Sequence, residues 1–211
     1  MKIILVRHGE ADSNIEGAPL TEKGILEANS VANELKKYSF EKVYSSDLLR
    51  AKQTCEAFTE NYLEDERLRE IYRVLIGGPI KEGTSKDREI NDRKRADEIF
   101  EELLENDEDA ILFCHGNIIR YYLNKVLKSK ENLWENMTIN NCSISILESN
   151  GDTFKIKEIN LTNHLPENIL EEIKNSEKKE VYLHWKVNNK NYKFIVIKWF
   201  LFWFLSLIKR I

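Results

Sequence analysis

Residues 2–10 read Lys-Ile-Ile-Leu-Val-Arg-His-Gly-Glu. The stretch opens as an apolar, β-branched run over residues 2–6 and breaks off at Arg7-His8-Gly9. A short apolar run bounded by polar residues predicts a buried strand. Residues 110–116 repeat the plan, with Ala-Ile-Leu-Phe-Cys followed by His115-Gly116. Between them, Lys42–Ser45 is a third short strand, followed by Ser46 and then Arg50 one turn into the next helix. Three strands thus carry polar, chemically active residues directly beyond their carboxyl ends.

Helical patterns separate these strands. Thr21 is placed as an N-cap, with Ile25, Ala28, Ala32 and Leu35 as an inward stripe. Residues 47–62 read as a helix with Ala51, Cys55 and Phe58 inward. Residues 63–90 are charged and hold Gly77-Gly78-Pro79, which predicts loop with short helical pieces. Residues 92–106 form a helix burying Ala96, Ile99, Phe100, Leu103 and Leu104, and residues 117–128 form another. Residues 142–148 and 153–159 are strands joined by Ser149-Asn150-Gly151-Asp152, a hairpin signal. Alternating strands and helices predict an α/β fold. Its form is a three-layer α/β/α sandwich with a mostly parallel central sheet and an antiparallel edge hairpin.

The 211 residues divide into an expected domain over 1–168 and a C-terminal extension over 169–211. Hydrophobic residues at 42% and charged residues at 32% mark a globular chain able to bury a core. A net charge of -4 argues against a nucleic-acid partner, whose binding surface is basic. Cys55, Cys114 and Cys142 are odd in number and lack CxxC spacing, so neither a disulfide framework nor a zinc site is expected. They read as small buried apolar residues of a chain kept in a reducing, cytoplasmic compartment. The first residues enter a strand and the candidate site directly, so no signal peptide is expected.

The tail is the unusual feature. Residues 181–193 mix Tyr, Trp, Val and Lys and suggest a strand pair around Asn188-Asn189. Residues 194–208 are apolar except for Lys198 and Ser206. As a helix, residues 192–211 would span about 30 Å, the thickness of a hydrocarbon core. Trp199, Trp203 and Lys209-Arg210 suit a membrane interface. Membrane association through 192–211 stands beside the alternative of packing on protein, including a second copy in a homodimer.

Ligands of open α/β sheets bind outside the carboxyl ends of strands. Arg7, His8, Arg50 and His115 would meet there as a cationic cup. Guanidinium forks suit phosphate oxygens, and helices starting after Ser46 and Gly116 would aim free N–H groups at the same place. Glycine after each histidine lets backbone approach an anion. One neutral imidazole can attack phosphorus, and a second, protonated, can steady the equatorial oxygens. With that charge supplied by protein, neither metal nor cofactor is required. The leaving oxygen needs a proton, and Glu10, Glu22, Glu66 and Glu70 are all candidates.

Four blocks in order carry a resemblance. They are Arg7-His8-Gly9-Glu10 with Asn14; Pro19-Leu20-Thr21 with Gly24; Ser45-Ser46 with Arg50-Ala51 and Thr54; and His115-Gly116. The chain resembles the histidine phosphatase superfamily, of phosphoglycerate-mutase-like fold. The resemblance implies that His8 is the nucleophile and that Arg7, Asn14, Arg50, His115 and Gly116 hold the phosphoryl group. Within the superfamily the chain is similar to the mitochondrial phosphoglycerate-mutase-like Ser/Thr protein phosphatases. The matching stretches are Leu68-Arg69-Glu70, residues 113–121, Leu133-Trp134, Asn140-Asn141-Cys142-Ser143-Ile144 and Asn163-His164-Leu165-Pro166. That similarity implies Glu70 as proton donor.

Two departures bear on the substrate. The branch places small residues and proline soon after the equivalent of Glu70, where this chain has Ile71-Tyr72-Arg73-Val74-Leu75. The mutase sequence Arg-His-Tyr-Gly is also absent there. The expected activity is therefore metal-independent hydrolysis of a phosphomonoester, on a phosphoprotein or a small sugar or nucleotide-derived phosphate. A non-catalytic, phosphate-binding adaptor recruited to membrane is the alternative from another class.

Overall fold

A computed structural model describes residues 1–71, 86–127, 137–149 and 154–188. Six strands form one sheet: β1 (Lys2–Arg7), β2 (Lys42–Ser45), β3 (Leu63–Glu64), β4 (Ala110–Cys114), β5 (Ile144–Ser149) and β6 (Phe154–Leu161). Their order across the sheet is β3-β2-β4-β1-β5-β6. β1 to β4 run parallel, whereas β5 and β6 add antiparallel at one edge. The expected mixed sheet with an edge hairpin is therefore present. The hairpin's turn, residues 150–153, lies outside the described residues, as do Gly77-Gly78-Pro79 and Leu133-Trp134.

The central strands are buried on both faces because helices cover both. On one face Ile3 and Leu5 join Leu112, Leu147, Ile99, Phe100, Leu103, Ile118 and Tyr122 in a single core. The latter five belong to or face α3 (Lys86–Asn106) and α4 (Gly116–Leu127). Alternation turns Ile4, Val6, Ile111 and Phe113 to the other face, where they are equally buried. There the Phe113 ring lies 6.2 Å from that of Phe58, just past α2 (Leu49–Glu56).

Helix α1 (Glu22–Leu35) begins at Thr21, whose hydroxyl accepts a hydrogen bond from Gly24 N at 3.0 Å, as the capping pattern requires. Ala28, Val31, Ala32 and Leu35 are buried, but Ile25 is exposed and lies outside the stripe. Helix α2 ends at Glu56, not at residue 62, because Phe58 leaves the helical line to pack on Phe40 and Phe113. Helix α3 begins at Lys86, before the first buried apolar position, since straight-chain charged residues sustain helix without a core contact. Cys142 is not in a strand: it occupies a turn at φ 49° and donates its N–H to Arg7 O at 3.1 Å. Leu63–Glu64 is a strand within the stretch expected as loop.

By compactness the chain divides into residues 1–167 and 168–211. In the second unit, α5 (Glu167–Asn188) replaces the expected strand pair through residue 188. No Gly or Pro interrupts residues 167–188, so nothing in the sequence stops the helix. Among the described residues no helix is long and apolar enough to cross a membrane, and residues 192–211 lie outside them.

The loop between β1 and α1 is drawn tight by glycine. A Cβ on Gly24 would stand 2.0 Å from Glu10 O, and one on Gly9 would stand 2.6 Å from Gly24 O. Close packing on Gly24 is thus enough by itself to require glycine at position 9. Gly24→Ala is expected to lose about 1–3 kcal/mol of stability by overpacking. Gly17→Ala, whose Cβ meets nothing within 4 Å, is expected to change little. Urea denaturation of both variants compares the two.

Candidate active site

The parallel register sets the site. Arg7 pairs with Cys114, and His8 N donates to Cys114 O at 3.0 Å. Ser46 N donates to Phe113 O at 2.9 Å, aligning the end of β2 with the end of β4. Three strand ends therefore open on one edge, and the rings of His8 and His115 lie 5.0 Å apart. A cleft of about 810 Å³ runs over them, lined among others by Arg7, His8, Asn14, Arg50, Glu70 and Asn117.

His8 is held in one tautomer. Its Nδ1 lies 2.7 Å from Gly9 O, an acceptor only, so Nδ1 carries the proton. Nε2 is left with its lone pair, which accepts a hydrogen bond from Arg50 Nε at 3.3 Å. Burial, then the charges of Arg7 and Arg50, pull the His8 pKa down from 6.5 to about 3. Neutral imidazole with its lone pair on Nε2, released when Arg50 turns its N–H to an incoming phosphate, is the form a nucleophile needs.

Backbone clamps fix the same residue. Asn141 Nδ2 donates to His8 O at 3.0 Å, and Gly9 N donates to Thr54 Oγ1 at 3.0 Å. Thr54 in turn donates to Arg50 O at 2.7 Å, coupling the histidine loop to the helix that bears Arg50.

The cations around His8 are anchored from behind. Arg7 Nη1 donates to Ile139 O at 2.5 Å, and burial pulls its pKa down. Arg50 Nη1 donates to Ile15 O at 2.9 Å, tying the tip of the loop that bears Asn14. Asn14 itself is exposed at the cleft. Arg67 is paired with Asp65 and Glu102, Arg69 with Asp47, and Arg95 with Asp92.

His115 is fully buried, with Nε2 2.9 Å from Ser46 Oγ. Burial and the neighbouring His8, Arg50 and Arg7 hold its pKa well below 6.5. Burial first, then the neighbouring charges, favours the neutral ring of His115 before a phosphate arrives. Gly116 begins α4, and a Cβ there would meet Arg120 Nη1 at 3.4 Å and Arg7 Nε at 3.5 Å, ordinary contact distances.

Glu70 sits against the start of α4. Its carboxylate accepts from Asn117 N at 3.0 Å, Ile118 N at 3.2 Å and Ile71 N at 3.1 Å. Burial raises its pKa, while these N–H groups and Arg7 work against the rise. Of the other carboxyls considered, Glu10 pairs with Lys23 and Thr21, and Glu66 lines the cleft. Only Glu70 combines a place in the cleft with contact to the helix that follows His115.

Ser46, Thr54 and Asn141, which the sequence places at a strand end or in the matching blocks without a role of their own, brace His115, Gly9 and His8. A hydroxyl at a strand end was the available signal for Ser46. Nothing local marks Asn141, whose partner is 133 residues away. Among the described residues no group of three or more His, Cys, Asp or Glu side chains could hold a metal ion.

A crevice at the carboxyl edge of a doubly covered sheet, floored by paired imidazoles and guanidinium groups, defines a class of phosphate-handling α/β proteins. Sequence comparison gives the family: the model for histidine phosphatase superfamily (branch 1) matches residues 3–89 and 88–162, and the chain belongs to that superfamily. It is 28% identical over 178 residues to the 2,3-bisphosphoglycerate-dependent phosphoglycerate mutase of Thermoplasma acidophilum, covering 70% of this chain and 88% of the relative. It is 26% identical over 194 residues to the mitochondrial serine/threonine-protein phosphatase Pgam5 of Drosophila mojavensis, covering 78% and 67%. The crystal structure of phosphoserine phosphatase from Entamoeba histolytica superposes with a TM-score of 0.65 at 24% identity, over 78% of this chain and 99% of that one.

The His8 environment couples folding to pH. A histidine whose folded pKa lies near 3 binds a proton in the unfolded chain at any pH between about 3 and 6.5. Its contribution is complete above pH 6.5 and is lost as pH falls toward 3. Stability measured by denaturant titration is expected to fall from pH 7 to pH 5, and His8→Gln is expected to flatten that slope.

Proposed function

We propose that the protein is a metal-independent phosphatase that hydrolyses small phosphomonoesters through a phosphohistidine on His8. The observation that carries this reading is the His8 tautomer: Nδ1 is engaged by Gly9 O, leaving the Nε2 lone pair beside Arg50. Nε2 attacks phosphorus in line with the leaving oxygen. Arg7, Arg50, Asn14, His115 and the Gly116 backbone hold the equatorial oxygens, and positioning with charge stabilisation supplies most of the rate. The P–O bond breaks as Glu70 gives its proton to the departing oxygen. Glu70, now a carboxylate, takes a proton from water, whose oxygen attacks the phosphohistidine and frees orthophosphate and neutral His8. An approaching dianion also favours protonation of His115, adding charge where it is needed.

Two observations favour a small ester. The cleft volume of about 810 Å³ lies in the range of small-molecule pockets. The small and proline residues that follow the donor glutamate in the protein-phosphatase branch are replaced here by Ile71-Tyr72-Arg73-Val74-Leu75. The likeness to Pgam5 supports a second reading, in which the ester is a phosphoprotein. The mutase relative is set aside because Arg-His-Tyr-Gly is absent after Glu70, so the reading assigns water as the acceptor.

A panel of metabolite phosphates and phosphopeptides is expected to give faster orthophosphate release on metabolites, and the reverse ranking would favour the phosphoprotein reading. His8→Ala is expected to abolish turnover with folding retained, and chelators are expected to leave the wild type active. Quench of wild type in alkaline detergent is expected to trap a phosphoenzyme that later acid treatment hydrolyses. Binding without turnover would instead describe an adaptor, and full activity of His8→Ala would remove the mechanism.

A further inference from the structure

The donor assigned above does not sit on regular structure. Glu70 follows a single 3-10 turn, Glu66–Leu68, so the peptide carbonyls of residues 67–70 have no strand or helix ladder to enter. Arg95, on α3, gathers three of them. Its Nη1 donates to Arg67 O at 2.9 Å and Arg69 O at 2.7 Å, and its Nη2 donates to Glu70 O at 2.9 Å. The guanidinium is itself oriented by Asp92 one turn earlier, at 3.0 Å from Nη2 and 3.2 Å from Nε. Leu68 and Ile71 seal the segment from the other side, both essentially fully buried.

We propose that Arg95 is a positioning residue for proton transfer: it fixes the backbone that aims Glu70 at the leaving oxygen. The inference rests on the assignment of Glu70 as donor. The planar fork of arginine is what three carbonyls spread over a four-residue segment require. A lysine keeps the charge but offers a single nitrogen, and cannot span them. Without the fork the 67–70 segment shifts against α4, and Glu70 loses its aim while His8, Arg7 and Arg50 keep theirs. Small misplacement of a reacting group is costly, so the loss falls on proton delivery alone.

Leaving-group dependence isolates that loss. For each variant kcat/KM, which reports the step up to phosphorylation of His8, is measured on two esters. One is the alkyl phosphate of the metabolite panel that is hydrolysed fastest; the other is 2,4-dinitrophenyl phosphate, whose leaving oxygen departs without a proton. Arg95→Lys is expected to lower kcat/KM on the alkyl ester by roughly tenfold or more and on the dinitrophenyl ester by no more than about twofold, in the pattern of Glu70→Gln. Asp92→Asn, which loosens the fork and leaves Arg95 in place, is expected to show the same selectivity at smaller size and carries the test should Arg95→Lys fail to fold. Equal losses on both esters, or none, with Glu70→Gln still selective, would overturn the role of Arg95 and leave the phosphatase reading standing. A Glu70→Gln variant with no selectivity would overturn the donor assignment and this inference together.

Discussion

The register between β1 and β4 is the constraint on which the site depends. Pairing of Val6 with Phe113 and of Arg7 with Cys114 ends both strands at one level, so the next residue of each, His8 and His115, emerges at the same edge. Period-two alternation makes this register hard to change. A one-residue slip would turn Ile3, Leu5 and Leu112 to the wrong face as well as separating the histidines. The core and the site are therefore specified by the same hydrogen-bond ladder.

Placement is followed by selection of chemical state. The sheet brings two imidazoles and two guanidinium groups into one hollow, where mutual repulsion would favour proton loss from the weaker bases. Burial above all, with that pressure added, lowers the pKa of both His8 and His115. Carboxylates around the rim engage Arg67, Arg69 and Arg95, which are thereby occupied in holding structure. Arg7 and Arg50 are instead braced by main-chain carbonyls, at Ile139 and Ile15, so their charge is oriented without being cancelled.

Much of this was legible in the sequence where one signal dominated. Residues 2–6 and Ala110–Cys114 are too apolar and too short for anything but covered strands, and the polar residues after them announce the edge of the sheet. Local signals fail where distant partners decide. Ile25 has helical spacing yet points to solvent, because α1 needs only Ala28, Val31, Ala32 and Leu35 against its neighbours. Phe58 ends α2 through rings contributed by Phe40 and Phe113. Arg95 lies in a charge-rich helix, and only the irregular backbone of residues 67–70 reveals its use. Glu70 could not be separated from Glu66 by spacing, since contact with α4 is what distinguishes them.

The three thiols have a consequence of their own. Cys55, Cys114 and Cys142 are each wholly buried, and burial raises the pKa of every one, so none offers a thiolate to solvent. Thiol-directed reagents find no cysteine to attack in the native molecule, and a site built on ring nitrogen has no thiol at its centre to lose. Reaction of these side chains has to wait until the sheet opens, which makes the rate of labelling a clock for unfolding.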